Sequence, residues 1–415
     1  MDIWIINHYA DPPSKPGGTR HISLATELVR RGHRVSLFAS SFNHGTRSAH
    51  TGVRPDLLQW EEIGGAKIGW LSSPSYSDDK FGRAWNMLVF ASRVLQLPNL
   101  CRTPPDVVYG STPTLFAALA GLIVARHFGV PFVLEIRDIW PQTLIDMGMS
   151  HLHPFVVGSW VVERYLYQHA NAIVSLLPDA APHLVAHGAA RERIYWIPNG
   201  VSFDLAPSVV PPQPKEVLEV MYAGACRGGN DPELLLKAAA RLRQRGGPAL
   251  RFRILGNGSG EAALIAKRDA LELTNVAFEP AVPKRQVYSL LSQADILVAP
   301  YLSLGVHRFG VSLNKLFDYM AAARPIVFSG QSSNHPVRDA GCGLECPPDD
   351  PDAFADAIAA IAKMSSQERW EMGLRGRRYV EQNHDFARLT ARLEAILAGA
   401  VSKSQSALLA PQLEP

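Results

Sequence analysis

Residues 312–328 read SLNKLFDYMAAARPIVF, and this stretch decides the fold because it holds one helix-to-strand step of a parallel sheet. A polar loop opens a short helix, expected over 312–322, which stops at Ala-Arg-Pro because proline cannot continue it. The strand expected at 325–328 is apolar throughout. A strand that is apolar on both faces belongs inside a parallel sheet that helices cover on each side.

The same alternation extends along the whole chain. Beyond residue 215 we predict strands at 217–222, 251–255, 275–278, 296–299 and 325–328, with helices at 231–244, 261–271, 284–292 and 312–322 between them. Before residue 204 we predict strands at 3–7, 34–39, 107–110, 131–136 and 172–176, with helices at 20–31, 114–128 and 154–169. A proline-rich run at 202–214 separates the two patterns. The sequence therefore predicts two doubly wound α/β domains, 1–204 and 215–385, which bind ligands in a cleft at their strand carboxyl ends.

Composition excludes several classes of protein. The 415 residues are 47% hydrophobic and 19% charged, which is typical of globular domains. Lys plus Arg number 41 and Asp plus Glu 38, a balance that argues against a dedicated nucleic-acid binder. The N-terminus has a strand pattern and no signal-peptide pattern, and no apolar run reaches membrane-spanning length. We expect a cytoplasmic protein whose membrane contact, if it has one, is peripheral.

The sequence gives no sign of a metal site. The fourteen histidines show no ligand spacing, and Cys342 and Cys346 have no second pair or histidine cluster beside them. Asp350 and Asp352 flank a proline at the start of a predicted helix, which is typical of a helix N-cap. We therefore predict chemistry without a catalytic metal.

The start of the helix at 312–322 is the main candidate for a binding site. The N–H groups of Ser312, Leu313 and Asn314 are expected to lack intrahelical acceptors, and Lys315 adds a positive charge in the first turn. A cation there opposes the helix dipole, so Lys315 costs stability unless an anion binds. This conflict is expected for a diphosphate site, although an ordinary solvent-facing first turn is the alternative. Asp318, one turn later, is placed to accept hydrogen bonds from ribose hydroxyls.

The run NKLFDYMAA, followed after two residues by Pro-Ile-Val, resembles the signature of glycosyltransferase family 4, whose members are retaining enzymes of GT-B fold. Further segments match that family in the same order, at 17–18, 31–35, 135–141, 197–201, 255–258, 275–278 and 294–296. The Arg-Asp-x-Trp-Pro element at 137–141 is similar to surface-polysaccharide transferases of the fucosamine and colanic-acid type.

This resemblance implies a GT-B architecture, in which a last helix at 386–400 crosses back to the first domain and a tail follows at 401–415. It also implies a nucleotide-diphosphate sugar as donor, with UDP as the expected nucleotide and an N-acetylated deoxyhexosamine as a candidate sugar. The acceptor is expected to be a glycan on a polyprenyl diphosphate, met at the cytoplasmic face of the inner membrane. No cofactor is expected, because the nucleotide sugar is itself a substrate.

The family pattern assigns diphosphate contacts to three positions besides the helix start. Gly17 and Gly18 are expected to let the backbone approach a phosphate, although a flexible strand-to-helix turn would use the same glycines. Arg227, just after the first strand of the second domain, is expected to bind the diphosphate without the lysine that often follows it. A surface arginine in a loop is the alternative.

Other positions are expected to contact the nucleoside and the sugars. The loop with Gly256 and Asn257 and the backbone at Val282 are expected to lie against the nucleoside. Arg137 and Asp138 are expected to orient the acceptor or the transferred sugar, although Asp138 would also serve as a helix cap or as an ion-pair partner of Arg137.

The chain departs from the family at its paired glutamates, Glu-x7-Glu. Asp318 occupies the second position and Gly310 the first, so the first glutamate, which the pattern places against the donor sugar, is absent. Asn314, Ser312 and His307 are candidates to replace it, and the backbone alone is a further alternative.

Two other functions fit part of the pattern. A nucleotide-sugar epimerase of GT-B fold would carry more carboxylates in the cleft, and a two-domain sugar-binding protein would lack the cationic phosphate loop. Separately, residues 81–97 combine apolar side chains with Arg83 and Arg93, as a membrane-contacting surface does. The apolar residues are Phe81, Trp85, Met87, Leu88, Phe90 and Leu95. A plain buried helix is the alternative for that segment.

Overall fold

The computed structural model describes residues 1–44, 48–49, 57–77, 80–206, 208–226 and 229–409. The chain forms two compact units. The first contains residues 1–12, 18–198 and the chain from 386 onward, and the second contains residues 13–17 and 199–385. The chain therefore leaves the first unit at Pro198, ahead of the proline-rich run. Each unit is a parallel α/β domain, as the strand and helix pattern predicts.

The first unit is built on one large sheet. The strands of this unit are β1 (Asp2–Ile6), β2 (Arg34–Ser40), β3 (Phe42–Asn43), β4 (Ser48–Ala49), β5 (Leu58–Ile63), β6 (Ala66–Leu71), β7 (Val107–Ser111), β8 (Phe132–Ile136), β9 (Ala172–Ser175) and β10 (Ile194–Trp196). Strands β3 and β4 form a separate two-stranded antiparallel sheet. Its helices up to residue 198 are α1 (Arg20–Arg30), α2 (Lys80–Val94), α3 (Leu97–Leu100), α4 (Leu115–Phe128), α5 (Gln142–Asp146), α6 (Pro154–His169) and α7 (Ala181–Ala186). The main sheet has the order β10-β9-β8-β7-β1-β2-β6-β5, with β5 antiparallel to β6 and the other neighbours parallel.

The hairpin of β5 and β6 is an element that the apolar-run pattern did not predict. Its register pairs Ile63 with Ala66, so Gly64 and Gly65 form a two-residue loop. Both glycines have positive φ, 60° and 81°, as a type I′ turn requires. A side chain at Gly64 would also meet Thr26, whose Oγ1 lies 2.3 Å from the position of an added Cβ.

The second unit repeats the design with six strands. They are β11 (Leu218–Ala223), β12 (Leu250–Leu255), β13 (Val276–Glu279), β14 (Ile296–Pro300), β15 (Ile326–Ser329) and β16 (Gly343–Cys346), all parallel, in the order β13-β12-β11-β14-β15-β16. Its helices are α8 (Pro232–Arg245), α9 (Glu261–Ala270), α10 (Lys284–Leu291), α11 (Asn314–Ala321), α12 (Pro336–Asp339), α13 (Pro351–Ala362) and α14 (Ser366–Asn383).

The last helix, α15 (Phe386–Leu409), belongs to the first unit and packs on α1. Its buried face carries Leu389, Leu393 and Leu397 at helical spacing. The expected tail from 401 is wrong as far as 409, because 401–409 contains no glycine or proline and continues the helix. None of the described helices, α15 included, combines the length and hydropathy that a membrane span needs.

Candidate functional site

Helix α11 is held rigidly in the second unit by its own apolar side chains. Leu316, Phe317 and Met320 are at most 2% exposed and pack into a core shared with β11 and β14. The hydroxyl of Tyr319 accepts a hydrogen bond from the N–H of Ala223 at 2.7 Å and donates to the carbonyl of the same residue at 2.9 Å. These contacts hold α11 beside the carboxyl end of β11.

Lys315 lies at that helix start and has protein acceptors that the sequence did not reveal. Its Nζ donates to the hydroxyl of Tyr222 at 3.2 Å and to Oδ1 of Asn230, and it lies 4.7 Å from the centre of the Tyr222 ring. Burial nevertheless lowers the pKa of Lys315 from 10.5 to about 7, although Cys226 acts in the opposite direction. The ammonium group is therefore incompletely compensated, which favours an anionic ligand.

Of the residues that precede Lys315, Ser312 has a hydrogen-bond partner within the second unit, whereas the side chain of Asn314 does not among the described residues. The helix begins at Asn314 with Leu313 as N-cap, so Asn314 and Lys315 are the first residues whose N–H groups lack intrahelical acceptors. Ser312 lies outside the helix, where its Oγ accepts from the N–H of Asn199 at 2.8 Å. The side-chain amide of Asn314 has no hydrogen-bond partner among the residues that the structure describes.

The glycine loop after β12 approaches the end of β11 closely. A Cβ on Gly256 would lie 1.9 Å from the carbonyl oxygen of Gly224, and one on Gly260 would lie 2.7 Å from that of Cys226. The carbonyl of Asn257 accepts from the N–H of Cys226 at 2.9 Å. Only glycine fits so near a neighbouring backbone, so these glycines have a packing role in the second unit whatever they bind.

Lys315 is also close to the loops that follow β11 and β12. A Cβ on Gly224 would lie 3.1 Å from Nζ of Lys315, so the structure brings together the helix start and the loops that follow β11 and β12. Arg227, which the sequence assigns to the same diphosphate, lies outside the described residues. Val282 precedes α10 and packs partly buried against the core of the second unit.

Asp318 has two partners that the sequence analysis missed. One carboxylate oxygen pairs with Nζ of Lys284, and the other accepts from the hydroxyl of Tyr288 at 2.7 Å. Asp318 is 6% exposed, so these contacts supply the compensation that a buried carboxylate needs. Each carboxylate oxygen has a second lone pair, so a ribose hydroxyl would have to bind an oxygen that already has Lys284 or Tyr288 as a partner. The ribose role therefore stays a prediction.

The position of the missing glutamate has a distinctive backbone. Gly310 adopts φ 93° and ψ 172°, a region that is essentially restricted to glycine. Of the candidate replacements, His307 is 6% exposed and stacks on Tyr301 at 4.7 Å, and Ser312 is engaged by Asn199. Asn314 is thus the candidate whose polar atoms have no described partner.

Gly17 lies in the short N-terminal segment of the second unit, and Gly18 lies in the first unit. Gly17 has φ 139°, and the segment is attached to α10, where the N–H of Lys284 donates to the carbonyl of Lys15 at 3.3 Å. Gly18 donates its N–H to the carboxylate of Asp11. The segment that contains Gly17 is therefore held by α10, whereas Gly18 is held by the carboxylate of Asp11.

In the first unit, Arg137 and Asp138 follow β8 as predicted. Asp138 is exposed, and the N–H of Arg137 donates to Oγ1 of Thr112 at 2.9 Å. Nε of Arg137 is buried without a hydrogen-bond partner among the described residues. An exposed carboxylate beside a guanidinium is able to orient a polar ligand.

Asp11 is a further carboxylate near Arg137 that sequence reasoning did not select. It accepts from Nδ2 of Asn43 at 2.5 Å. Burial raises the pKa of Asp11 to about 7, against the opposing effects of the Gly18 N–H and Arg137. Its signal in the sequence is a carboxylate just after β1, at the edge where parallel sheets bind ligands.

Glu135, one residue from the end of β8, has a structural role. It is fully buried, and its oxygens bind Nε of Arg20 at 2.8 Å, Nε2 of His21 at 2.6 Å and the hydroxyls of Tyr109 and Ser111 at 2.6 and 2.5 Å. Burial would raise the pKa of Glu135, but Arg20 and His21 together hold it well below its usual value. This network locks α1 to the sheet.

Asp350 caps a helix as predicted, whereas two histidines have a ligand spacing that was not predicted. Oδ1 of Asp350 accepts from the N–H groups of Asp352 and Ala353 at 3.1 and 2.9 Å, which confirms the N-cap. The expectation that no histidines have ligand spacing is wrong, because His183 and His187 lie one helical turn apart and meet Glu163 from another helix.

Comparison with known proteins identifies both halves of the chain. The family described as "Glycosyl transferase 4-like domain" matches residues 17–200, and "Glycosyl transferases group 1" matches residues 206–364. The chain is 26% identical over 228 residues to the putative colanic acid biosynthesis glycosyltransferase WcaL of Escherichia coli, covering 54% of this chain and 55% of that protein. The chain thus spans about half the length of this curated relative.

Solved structures share the fold over nearly the whole length. Sucrose-phosphate synthase from Thermosynechococcus elongatus superposes with a TM-score of 0.78 at 15% identity, covering 97% of this chain and 99% of that one. HepE from Anabaena, in complex with UDP-glucose, superposes with a TM-score of 0.65 at 15% identity, covering 96% and 100%. Identities this low show the fold alone.

Proposed function

Because this chain belongs to glycosyltransferase family 4, we propose that it transfers a sugar from a nucleotide-diphosphate sugar to a lipid-linked glycan during the synthesis of a surface polysaccharide. The observation that carries the proposal is the half-buried Lys315 at the start of α11, next to the glycine loops after β11 and β12. The name of WcaL supports the polysaccharide assignment, and the UDP-glucose bound to HepE supports the donor class.

In this proposal the second unit holds the donor. The diphosphate accepts hydrogen bonds from Nζ of Lys315 and from the first N–H groups of α11, with Arg227 as a second cation. The nucleoside lies against the loop of Gly256 and Asn257, near Val282. The sugar is held by Asn314 and by backbone at Gly310, because glutamate is absent there.

The first unit holds the acceptor, and Arg137 and Asp138 orient it. The bond between the anomeric carbon and the diphosphate breaks, and the acceptor oxygen bonds to that carbon on the same face. The proton of the acceptor hydroxyl passes to the leaving diphosphate oxygen, so a strong protein base is not required. Lys315 then stabilises the negative charge that the leaving group gains.

We infer further that this chemistry requires no metal, since cationic side chains take the place of a metal at the diphosphate. Transfer rates measured below the melting temperature should be unchanged in excess EDTA. A loss of activity that manganese or magnesium restores would overturn this part of the proposal.

The proposed donor class is tested by thermal shift with UDP, GDP, ADP and dTDP. A ligand that binds the folded state raises the melting temperature by mass action, so the preferred nucleotide should give the largest rise. The corresponding nucleotide sugar should then be incubated with the protein alone. Conversion of the sugar to an epimer would favour the epimerase alternative. Absence of a shift with any nucleotide would contradict the proposal.

We also propose that the first unit touches the membrane through α2. Phe81 and Trp85 are 83% and 54% exposed, whereas Phe90 and Val94 are fully buried. The prediction is wrong for Met87 and Phe90, because both side chains pack inside the first unit. The helix is therefore amphipathic and not the plain buried helix of the alternative reading. Exposed aromatic side chains beside Arg83 suit the headgroup region, where a lipid-linked acceptor is met.

A further inference from the structure

Two helices of the first unit bring a carboxylate and two imidazoles together. Glu163 lies in the middle of α6, His183 lies in α7, and His187 follows one turn later at the end of α7. One possible ligand atom from each residue lies within 4.8 Å of the other two. The imidazole rings of His183 and His187 are 4.0 Å apart between centroids, so both side chains leave the same face of the helix.

The protein alone compensates Glu163 poorly. Its side chain is 0% exposed. Oε1 accepts a hydrogen bond from the hydroxyl of Tyr167 at 2.8 Å, and Oε2 has no hydrogen-bond partner among the described residues. Nε2 of His183 lies 3.6 Å from Oε1, too far for a hydrogen bond. A buried carboxylate is costly unless a cation or several donors meet it, so this arrangement calls for a positive charge.

We propose that Glu163, His183 and His187 bind a zinc ion that ties α7 to α6. Two ligand atoms on a tetrahedral zinc lie about 3.4 Å apart, close to the 3.6 Å between Oε1 of Glu163 and Nε2 of His183. Nδ1 of His187 is 2.8 Å from the carbonyl of His183. A carbonyl only accepts, so Nδ1 carries the proton and Nε2 is left able to coordinate, in the arrangement that metal-binding histidines use.

The three ligand atoms favour zinc over magnesium and calcium. Two imidazole nitrogens and one carboxylate suit zinc, whereas magnesium and calcium take mainly oxygen ligands. Three protein ligands leave a fourth position for water, and the partial exposure of both histidines gives the ion a path from solvent. A structural role fits α7, which has six residues and is too short to be stable without tertiary contacts.

The site is tested on the full chain by metal analysis and zinc titration. Elemental mass spectrometry of wild-type protein dialysed against zinc should give about one bound zinc per chain. Zinc should also raise the melting temperature by at least about 5 °C, and magnesium should not. Protein that binds no zinc, or that magnesium stabilises while zinc does not, would overturn the proposal.

Two variants and a control locate the ion. Glu163→Gln keeps the shape of the side chain and removes its charge, and His187→Ala removes one ligand without touching the buried core. Both should bind zinc at least about tenfold more weakly and lose the zinc-dependent rise in melting temperature. His169→Ala, at the exposed end of α6, should behave as wild type. If Glu163→Gln does not fold, the zinc affinity of His187→Ala tests the site. A wild-type affinity in His187→Ala would show that zinc binds elsewhere and would refute the site.

Discussion

At the scale of single residues, the protonation state of Lys315 links the site to pH. Its pKa is about 7 in the folded protein, so above pH 7.5 the side chain is mainly neutral. A bound diphosphate favours the ammonium form and raises that pKa, so binding takes up a proton. Affinity for the preferred nucleotide diphosphate should therefore fall by about tenfold or more between pH 7.5 and 9. Calorimetry in two buffers of different ionisation enthalpy measures both the affinity and the proton uptake.

The matched variant for this prediction is Lys315→Met, which keeps the aliphatic stem. It should bind the nucleotide about ten- to hundredfold more weakly at pH 7.5 and take up no proton. The stability difference has a definite sign. The unfolded chain binds the proton with the ordinary pKa of 10.5, so wild-type stability should rise relative to Lys315→Met between about pH 7 and 10.5. Equal proton uptake in both proteins would remove Lys315 from the site.

Gly310 shows why the family's glutamate cannot simply be restored. Its φ of 93° with ψ of 172° costs a side-chain-bearing residue about 1–3 kcal/mol. Gly310→Ala should lower the free energy of unfolding by that amount in urea denaturation. The control is Gly399→Ala in α15, where nothing lies within 4 Å of the added Cβ, and it should raise stability by about 0.5–1 kcal/mol. A Gly310→Ala variant as stable as wild type would show that the loop relaxes.

The charged residues of the site could be predicted from the sequence, but their hydrogen-bond and ion-pair partners could not. The segment 312–328 alone predicts a helix that carries Lys315 and Asp318 in its first turns. The partners Tyr222, Asn230 and Lys284 come from other elements, and only the packing of those elements decides which side chain meets which. Asp318 illustrates the consequence, because its buried pair with Lys284 occupies a carboxylate oxygen that the predicted ribose contact would also use.

At the scale of elements, most of the buried parallel strands were predictable, whereas the exposed strand β5 and its buried partner β6 were not. Strand β8 is buried along its whole length and is apolar except for Glu135, whereas β5 is half exposed and contains two glutamates. The usable signal for β5 was the Gly-Gly turn that follows it. Helix α15 is longer than predicted, because residues 401–409 contain no glycine or proline and the loss of a charge pattern does not by itself end a helix.

Helix α2 allows the membrane proposal to be separated from simple burial. Trp85→Ser should leave stability within about 1 kcal/mol, since the side chain is 54% exposed, but should reduce cosedimentation with anionic liposomes at low salt. Met87→Ser is the control, because Met87 is 4% exposed and its loss should destabilise by about 2–5 kcal/mol. Wild-type protein that never cosediments with such liposomes would rule out the membrane contact.

At the scale of the whole molecule, the repeated alternation of strands and helices predicted two domains. It did not predict that each domain includes a short segment from the other end of the chain. Residues 13–17 belong to the second unit and the chain from 386 onward to the first. The crossing of α15 was available only from family resemblance, since an amphipathic helix at a chain end gives no indication of which core it will cover. Its leucines face the same apolar cluster as Ile22 and Leu28 of α1.

This exchange predicts that the first unit depends on the end of the chain. A variant ending at Asp385 loses Leu389, Leu393 and Leu397, each at most 1% exposed. Burying one such side chain stabilises by about 1.5–3 kcal/mol, so the loss is comparable to the net stability of a domain. Hydrogen exchange should show lost protection in β1 and β2, while β11 and β14 of the second unit stay protected. A variant ending at Ser406 keeps the buried leucines and should match wild type, and unchanged protection of β1 in the shorter variant would contradict the prediction.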